Sequence, residues 1–441
     1  MPRLIIIQAT GYRYRGRRIP NKLRKRRLVG AVLPYLAALA PPEWKITLVD
    51  DAVEDVDYTA PADAVAITAR TVTSIRAYDI ADEFRRRGVP VLMGGPHATF
   101  HADEMAEHAD AVCIGEAEEL FPRMLEDAAA GRLRRFYRRE TVADLGGLPI
   151  PRWDLLNLRH YTFYKPWVIQ YSRGCPYRCD FCAEWRLNGD HDYRYRPKEE
   201  VVEEIKRCGS RHVFFAASQF AGNPQRTIDF MEALIPLKIH WSALFSPRFC
   251  LDERFLGVAR KSGLLHVNMG LESIDQTTLN SWSKGFNKIH SYETIIHNLR
   301  KRDISYSFNF VFGSDEEDKD VFRSTLRFLN EHKVPAAYFN LMAPLRGTPL
   351  YERMKAEGRL IDEANMERWP GVVCHFRPLH YTPEELVDAV SSAHREFYSL
   401  RSALRRLPLP TSYSRLASWK VNFDQMKVGA NLNTMQEFSD F

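Results

Sequence analysis

The chain has 441 residues, 45% hydrophobic and 27% charged, which fits two or three folded domains and excludes wholesale disorder. No run reaches the ~18–20 apolar residues of a membrane span, the opening MPRLIIIQAT is too short for a signal-peptide core, and seven cysteines are too few for a disulfide scaffold; a reducing, cytoplasmic interior is expected. The net charge of +6 is mild. Its excess lies early, at Arg13, Arg15, Arg17, Arg18, Lys22, Arg24, Lys25, Arg26 and Arg27. That run reads as a solvated loop or as a patch for an acidic or phosphate-bearing ligand. It comes without zinc-finger spacing or an RRM-type aromatic pattern, so nucleic acid is not an expected partner.

In chain order, short apolar runs predict strands at Arg3–Gln8, Lys45–Val49, Ala64–Thr68, Val89–Met93 and Ala111–Ile114. Helical periodicity fills Leu28–Leu39, Ser74–Arg87, Ala102–His108 and Ala117–Ala129 between them. This alternation implies a parallel sheet covered on both faces, with its ligand crevice at the strand carboxyl ends. Leu145–Pro151 breaks both periodicities and reads as a linker. A second series follows, with strands at Trp167–Ser172, His212–Ala216, His240–Phe245, Leu265–Gly270, Tyr306–Phe312 and Ala337–Ala343. Beyond it lie one long helix, Pro383–Leu407, and an aromatic tail, Tyr413–Phe441, that would lie across the barrel mouth or form a surface strap. The expected fold is α/β: a doubly wound, Rossmann-like sheet (1–140), a linker (141–165), a partial (β/α)6 TIM-type barrel (166–345) and a small, mostly helical C-terminal region (346–441).

The chemistry concentrates in Cys175-Pro-Tyr-Arg-Cys179-Asp-Phe-Cys182, on the loop leaving the first barrel strand. Three thiols so close in sequence converge on one point and select zinc or an iron–sulfur cluster. Structural zinc wants four ligands, and no second CxxC pair exists here; His191 offers a fourth, but its place in the Asn188–Asp192 turn reads more simply as solvent-exposed. Three cysteines on a cubane leave one iron open. The remaining Cys113, Cys208, Cys250 and Cys374 are scattered and read as small buried hydrophobes, Cys250 alone being placed to face the cavity as a hydrogen-atom donor.

With this spacing in this context, the chain resembles the radical S-adenosylmethionine (SAM) superfamily. The resemblance implies a [4Fe–4S] cluster on Cys175, Cys179 and Cys182, SAM chelating the open iron, and a 5′-deoxyadenosyl radical that takes hydrogen from substrate. It also implies a one-electron donor such as flavodoxin or ferredoxin. Phe181 before the last cysteine, Ser218, Arg248, Glu272 and Gly313 become candidates for the SAM site. Related enzymes carry an acidic pair after the second strand, where this chain has Ala216-Ala217-Ser218-Gln219.

Ala64–Leu120 resembles the cobalamin-binding domain that precedes many such barrels. The residues that carry the likeness are Thr68, Arg70, Thr71, Gly94, Gly95, His97, Thr99, Gly115 and Glu116. The Asp-x-His-x-x-Gly loop that gives a histidine to cobalt is absent, so the resemblance implies cobalamin without that ligand and Arg70 beneath the corrin. His97 reads as a loop hydrogen-bonder. Three functions follow. The first is cobalamin-dependent methylation of an unactivated carbon in a small molecule or natural-product intermediate. The second is a radical dehydratase, cyclase or epimerase with a vestigial front domain. The third is a non-catalytic, metal-stabilised interaction protein.

Overall fold

The computed structural model describes residues 1–14, 18–139, 141–187, 193–361, 363 and 373–429. Leu4-Ile5-Ile6-Ile7 is buried throughout because its strand is central. That strand, β1 (Arg3–Gln8), pairs in parallel with β2 (Lys45–Asp50) on one side and β3 (Ala64–Thr68) on the other. With β4 (Val91–Gly94), β5 (Ala111–Ile114) and β6 (Phe136–Arg138), the order is β2-β1-β3-β4-β5-β6. Alternate residues feed opposite faces. Ile5, Ile7, Val65 and Ile67 pack with Ala77, Ile80 and Phe84 of helix Ser74–Arg86, while Leu4, Ile6, Ala64 and Ala66 pack with Leu33, Phe121 and Leu125 on the far side. The order reverses between β1 and β3, which opens a crevice above their carboxyl ends.

The barrel strands are β7 (Trp167–Ile169), β8 (His212–Phe215), β9 (His240–Leu244), β10 (Leu264–Glu272), β11 (Ser305–Phe312) and β12 (Ala336–Leu341). They pair in parallel and in chain order, with β7 and β12 as the two edges. The first strand is shorter than expected. Ser172–Arg173 leaves the barrel to pair antiparallel with Arg194–Tyr195. Tyr306 and Phe308 of β11 are core, and Cys250 is fully buried against Met269 with a 3.5 Å contact between the sulfurs, outside the lining of the interdomain cavity.

Two corrections concern the C-terminal region. The long helix is two, Pro383–Phe397 and Leu400–Arg406, because Ser399 turns extended and its hydroxyl caps the Ser402 amide. The tail is helical over Tyr413–Gly429 and crosses the barrel at the opposite end from its mouth, meeting Leu265, Ser305 and Pro335 near the starts of β10, β11 and β12. Residues 430–441 lie outside the described residues, as do Arg15, Arg17 and His191. Of the early basic run, Arg26 forks onto Asp50 at 2.7 Å, Lys22 meets Asp51 at 3.0 Å and Arg27 meets Asp424 at 2.9 Å. Among the described residues, no helix is long and apolar enough to cross a membrane.

What fixes the two sheets against each other is a largely buried charge network. Glu116, just past β5, meets Arg194 at 2.6 Å, Arg173 at 2.9 Å and Arg139 at 3.4 Å, and accepts the Ala143 amide at 2.6 Å. Arg173 also meets Glu118 at 2.7 Å, and Glu118 accepts the Tyr35 hydroxyl at 2.8 Å. Burial opposes the charge on Glu116, yet Arg194 and Arg173 hold its carboxyl down to about 2. Glu116→Gln leaves those guanidinium groups enclosed without their counter-charge and is expected to cost about 3 kcal/mol in urea unfolding. Because the folded-state value is depressed, this stabilisation is complete above the ordinary carboxyl value of 4.5 and fades as pH falls toward 2. The gap between wild type and variant should therefore be flat at neutral pH and close in acid.

Candidate functional site

Gly174, at φ 91°, turns the chain out of the side ribbon into the cysteine loop. The loop is held from three directions. The Cys182 amide donates to the Cys179 carbonyl at 3.1 Å, the Asp180 amide to the Trp282 carbonyl at 3.1 Å, and the Leu350 amide to the Asp180 carbonyl at 3.0 Å. Ser283 also donates its hydroxyl to Asp180 at 2.6 Å. Loops beyond β10 and β12 thus define the position of the thiols. Cys179 is buried, and Cys175 and Cys182 are half-buried. Burial pushes the Cys179 thiol up to about 11 and Cys182 up to about 12, with a smaller upward push on Cys179 from Cys175 and on Cys182 from both neighbours. Such thiols stay protonated alone. A soft metal centre that binds thiolates displaces those protons, so three desolvated thiols on one short loop fit a cluster with one open iron.

Beside the thiols lies a pair that only half showed in the sequence. Glu272 closes β10 at φ 68°, where the register with β11 slips by one residue. Its carboxylate accepts from Lys284 Nζ at 2.7 Å, with both side chains largely buried. A Cβ on Gly270 would stand 2.0 Å from Glu272 Oε1, so that glycine makes room for the carboxylate. Lys284 also acts on Cys179 and Cys182 electrostatically and lies 5.8 Å from the Phe181 ring centroid. Phe181 stands edge-on to Trp282 at 5.4 Å. Ser218 donates to Glu184, a residue two positions past the last cysteine that sequence reasoning missed. Arg248 is exposed and stacks over Tyr177 of the cysteine loop at 5.5 Å, and Tyr177 in turn stacks on Phe286 at 4.0 Å. Gly313, at φ 111°, is set apart from this group. Its amide donates to Glu317 at 3.0 Å, and a Cβ there would meet Leu386 at 2.9 Å.

A cavity of about 590 Å³ joins the two domains. Arg70, Gly95, Thr99, Gly115 and Glu116 line one wall; Val168, Gln170, Arg173, Phe214 and Ala216 line the other, with Glu184 from the cysteine loop between them. The carboxyl-terminal edges of both sheets therefore share one space. The front-domain candidates divide within it. Gly95, at φ 100°, has its missing Cβ 2.7 Å from the Ala69 carbonyl and 2.8 Å from Thr68 Oγ1, so the glycine serves the crossing of its own backbone. Gly94 is tight against Cys113, at 3.2 Å. Gly115, at φ 94°, has nothing within 4 Å of its Cβ position and leaves its part of the wall open. His97 is wholly buried behind the wall, sharing hydrogen bonds with Tyr78 at 2.8 Å and Thr71 at 3.2 Å. Burial lowers its pKa, in keeping with a neutral hydrogen-bonding ring.

Lys284→Met isolates the Glu272 carboxylate beside the thiols. The expected result is at least tenfold weaker SAM binding with full iron content, since removing one partner of a buried hydrogen-bonded charge pair costs about 2–5 kcal/mol. Cys179→Ala should instead remove the iron itself. Stoichiometric zinc in place of iron in the wild-type protein would assign the thiols to a structural site.

Comparison with known proteins bears on the same two regions. Residues 169–329 match the family model described as the radical SAM superfamily, and residues 35–125 match that of the B12 binding domain. The bacteriochlorophyllide d C-12(1)-methyltransferase of Chlorobaculum tepidum is 28% identical over 403 residues, covering 89% of this chain and 86% of its own. The anaerobic magnesium-protoporphyrin IX monomethyl ester cyclase of Cereibacter sphaeroides is 27% identical over 386 residues, covering 78% and 61%. The solved structure of the radical SAM methyltransferase TsrM from Kitasatospora setae, with cobalamin and a [4Fe–4S] cluster bound, superposes with a TM-score of 0.71 at 16% identity over 98% of this chain and 100% of its own. That likeness establishes the two-sheet architecture across the whole length. Residues 169–329 thus carry a radical SAM domain, with a B12-binding domain ahead of it at residues 35–125.

Proposed function

We propose that the chain is a cobalamin-dependent radical SAM methyltransferase that alkylates an unactivated carbon of a small organic substrate. The observation that supports this reading most is the shared cavity, which sets the wall of the B12-binding domain opposite Arg173 and Glu184, the residues that flank the cysteine loop. When bound, the cluster and SAM supply a hydrogen-abstracting radical, and cobalamin supplies a transferable methyl group. The chain's own residues bind, orient and exclude water. Cys175, Cys179 and Cys182 would hold the cluster. The Glu272–Lys284 pair offers one charge of each sign to the zwitterionic end and ribose of SAM, and Arg248 stands over the outer side of the loop. Arg173, two residues before Cys175, is tied to Glu116 and Glu118 of the front domain, so the two reacting faces keep one separation. Thr68, Thr71, Gly94 and His97 shape the wall from behind, while Arg70, Gly95, Thr99, Gly115 and Glu116 meet the cavity. The reading also entails a one-electron donor such as flavodoxin or ferredoxin and a reducing, cytoplasmic setting.

The likeness to a named methyltransferase of a tetrapyrrole suggests a substrate with a large conjugated ring. The likeness to a cyclase keeps a second reading in play, radical ring closure without methyl transfer. Turnover of a chlorin substrate with methyl-deuterated SAM separates them. Methyl transfer predicts deuterium in the product, with 5′-deoxyadenosine and S-adenosylhomocysteine in about equal amounts. Unlabelled product with 5′-deoxyadenosine alone would select the cyclase. Gly115→Val should weaken cobalamin retention by about tenfold, because a branched side chain both fills the open stretch of wall and strains a backbone held at φ 94°. Iron content should not change, since Gly115 does not contact the thiols.

A further inference from the structure

Helix Tyr413–Gly429 has two unlike faces. Ser414, Ser418, Asn422 and Gln425 are buried, and Ser418 meets Ser305 at 2.9 Å while Asn422 donates to the Pro335 carbonyl at 2.7 Å. The opposite stripe, Tyr413, Leu416, Lys420, Phe423 and Lys427, is exposed along its whole length. Two further segments extend it. Trp419 Nε1 donates to the Pro408 carbonyl at 2.8 Å, which brings exposed Leu409 alongside the Leu416–Trp419 turn. At the start of the helix Tyr164 shares a hydrogen bond with Tyr413, and its neighbour Phe163 is fully exposed. Helix Leu400–Arg406, fastened by Arg406 on Asn422 at 3.1 Å, exposes Leu400 and Leu404 next to Arg401 and Arg405.

We propose that this face docks on the surface of an anionic lipid bilayer. Large apolar side chains standing out from a convex helix suit the boundary between headgroups and acyl chains, with lysines and arginines reaching back to lipid phosphates. No exposed position of the stripe is acidic, and the nearest carboxylate, Asp424, is already met by Arg27 at 2.9 Å and Lys420 at 2.7 Å. A second copy of the chain, packed by a two-fold axis, would set these cations against themselves. A folded protein partner would require pockets on the far side for side chains as prominent as Phe163 and Leu409, whereas a bilayer accepts them anywhere on its plane. The docking face lies at the amino-terminal rim of the barrel, so it leaves the interdomain cavity unobstructed and is independent of the reaction assigned to it.

The test is co-sedimentation of the full-length protein with vesicles. Binding is expected on vesicles of phosphatidylglycerol and phosphatidylcholine in equal parts, at least tenfold stronger than on phosphatidylcholine alone, and weakened by added salt. Lys420→Gln with Lys427→Gln should weaken it roughly thirtyfold, and Leu416→Ser with Phe423→Ser should abolish it, with iron content and SAM cleavage unchanged. Equal binding to both vesicle types, or variants that bind as the wild type does, would overturn the proposal. So would a dimer in sedimentation velocity that Phe423→Ser dissolves, because that result assigns the face to a second copy.

Discussion

The architecture depends on one buried carboxylate. Two parallel sheets each present a row of strand carboxyl ends, and nothing in either sheet alone makes those rows face each other. Glu116 stands at the end of β5, and the arginines that reach it come from beyond β6 and from both strands of the side ribbon that frames the cysteine loop. A charge so enclosed is costly unless it is met by several donors at once. The network satisfies that condition only when the front domain, the linker and the base of the cysteine loop are together, so its geometry also sets the width of the cavity between them. The sequence suggested Glu116 as a ligand-facing residue. It does line the cavity, but its carboxylate is occupied by arginine.

A second enclosed pair works at shorter range. Glu272 adopts a left-handed backbone conformation that costs a non-glycine residue of order 1–3 kcal/mol. The slip in register and the absent side chain at Gly270 allow it, and the contact with Lys284 offsets part of it. Strain of this kind persists only where the surroundings over-determine it. Here those surroundings are the Trp282–Ser283 turn, which also pins Asp180 in the cysteine loop. The charge pair and the thiols are therefore positioned by the same few residues.

The two sheets were legible because buried parallel strands show as apolar runs at regular spacing, and the cysteines because three thiols in eight residues have few structural uses. What was not legible lacked a local signal. β6 is three residues, Phe136–Arg138, with only Tyr137 buried, too short to show a period. Lys284 and Glu184 are ordinary charged residues until the loops fold them against the thiols. Gly95 was legible as a glycine that must be one, but the reason is a backbone crossing within its own domain. Helix Tyr413–Gly429 escaped because the face it buries is polar, so the usual apolar stripe is inverted.

That inversion follows from what the helix covers. At the amino-terminal rim, His266 shares hydrogen bonds with Ser305 at 2.9 Å and Ser307 at 3.0 Å, and Ser305 continues to Ser418 of the helix at 2.9 Å. Burial lowers the His266 imidazole to about 4, so the His266–Ser305–Ser418 chain is uncharged at physiological pH. An apolar helix would leave these hydroxyls unpaired; a charged one would bring water with it. A helix whose buried face is polar covers this end and meets these groups inside the protein. The opposite end carries the thiols, the Glu272–Lys284 pair and the Glu116 network, and its cavity continues into the front domain. The helix covers that rim, and the space both domains share opens at the other. A group held on the front domain's wall would then face Arg173 and Glu184, which flank the cysteine loop.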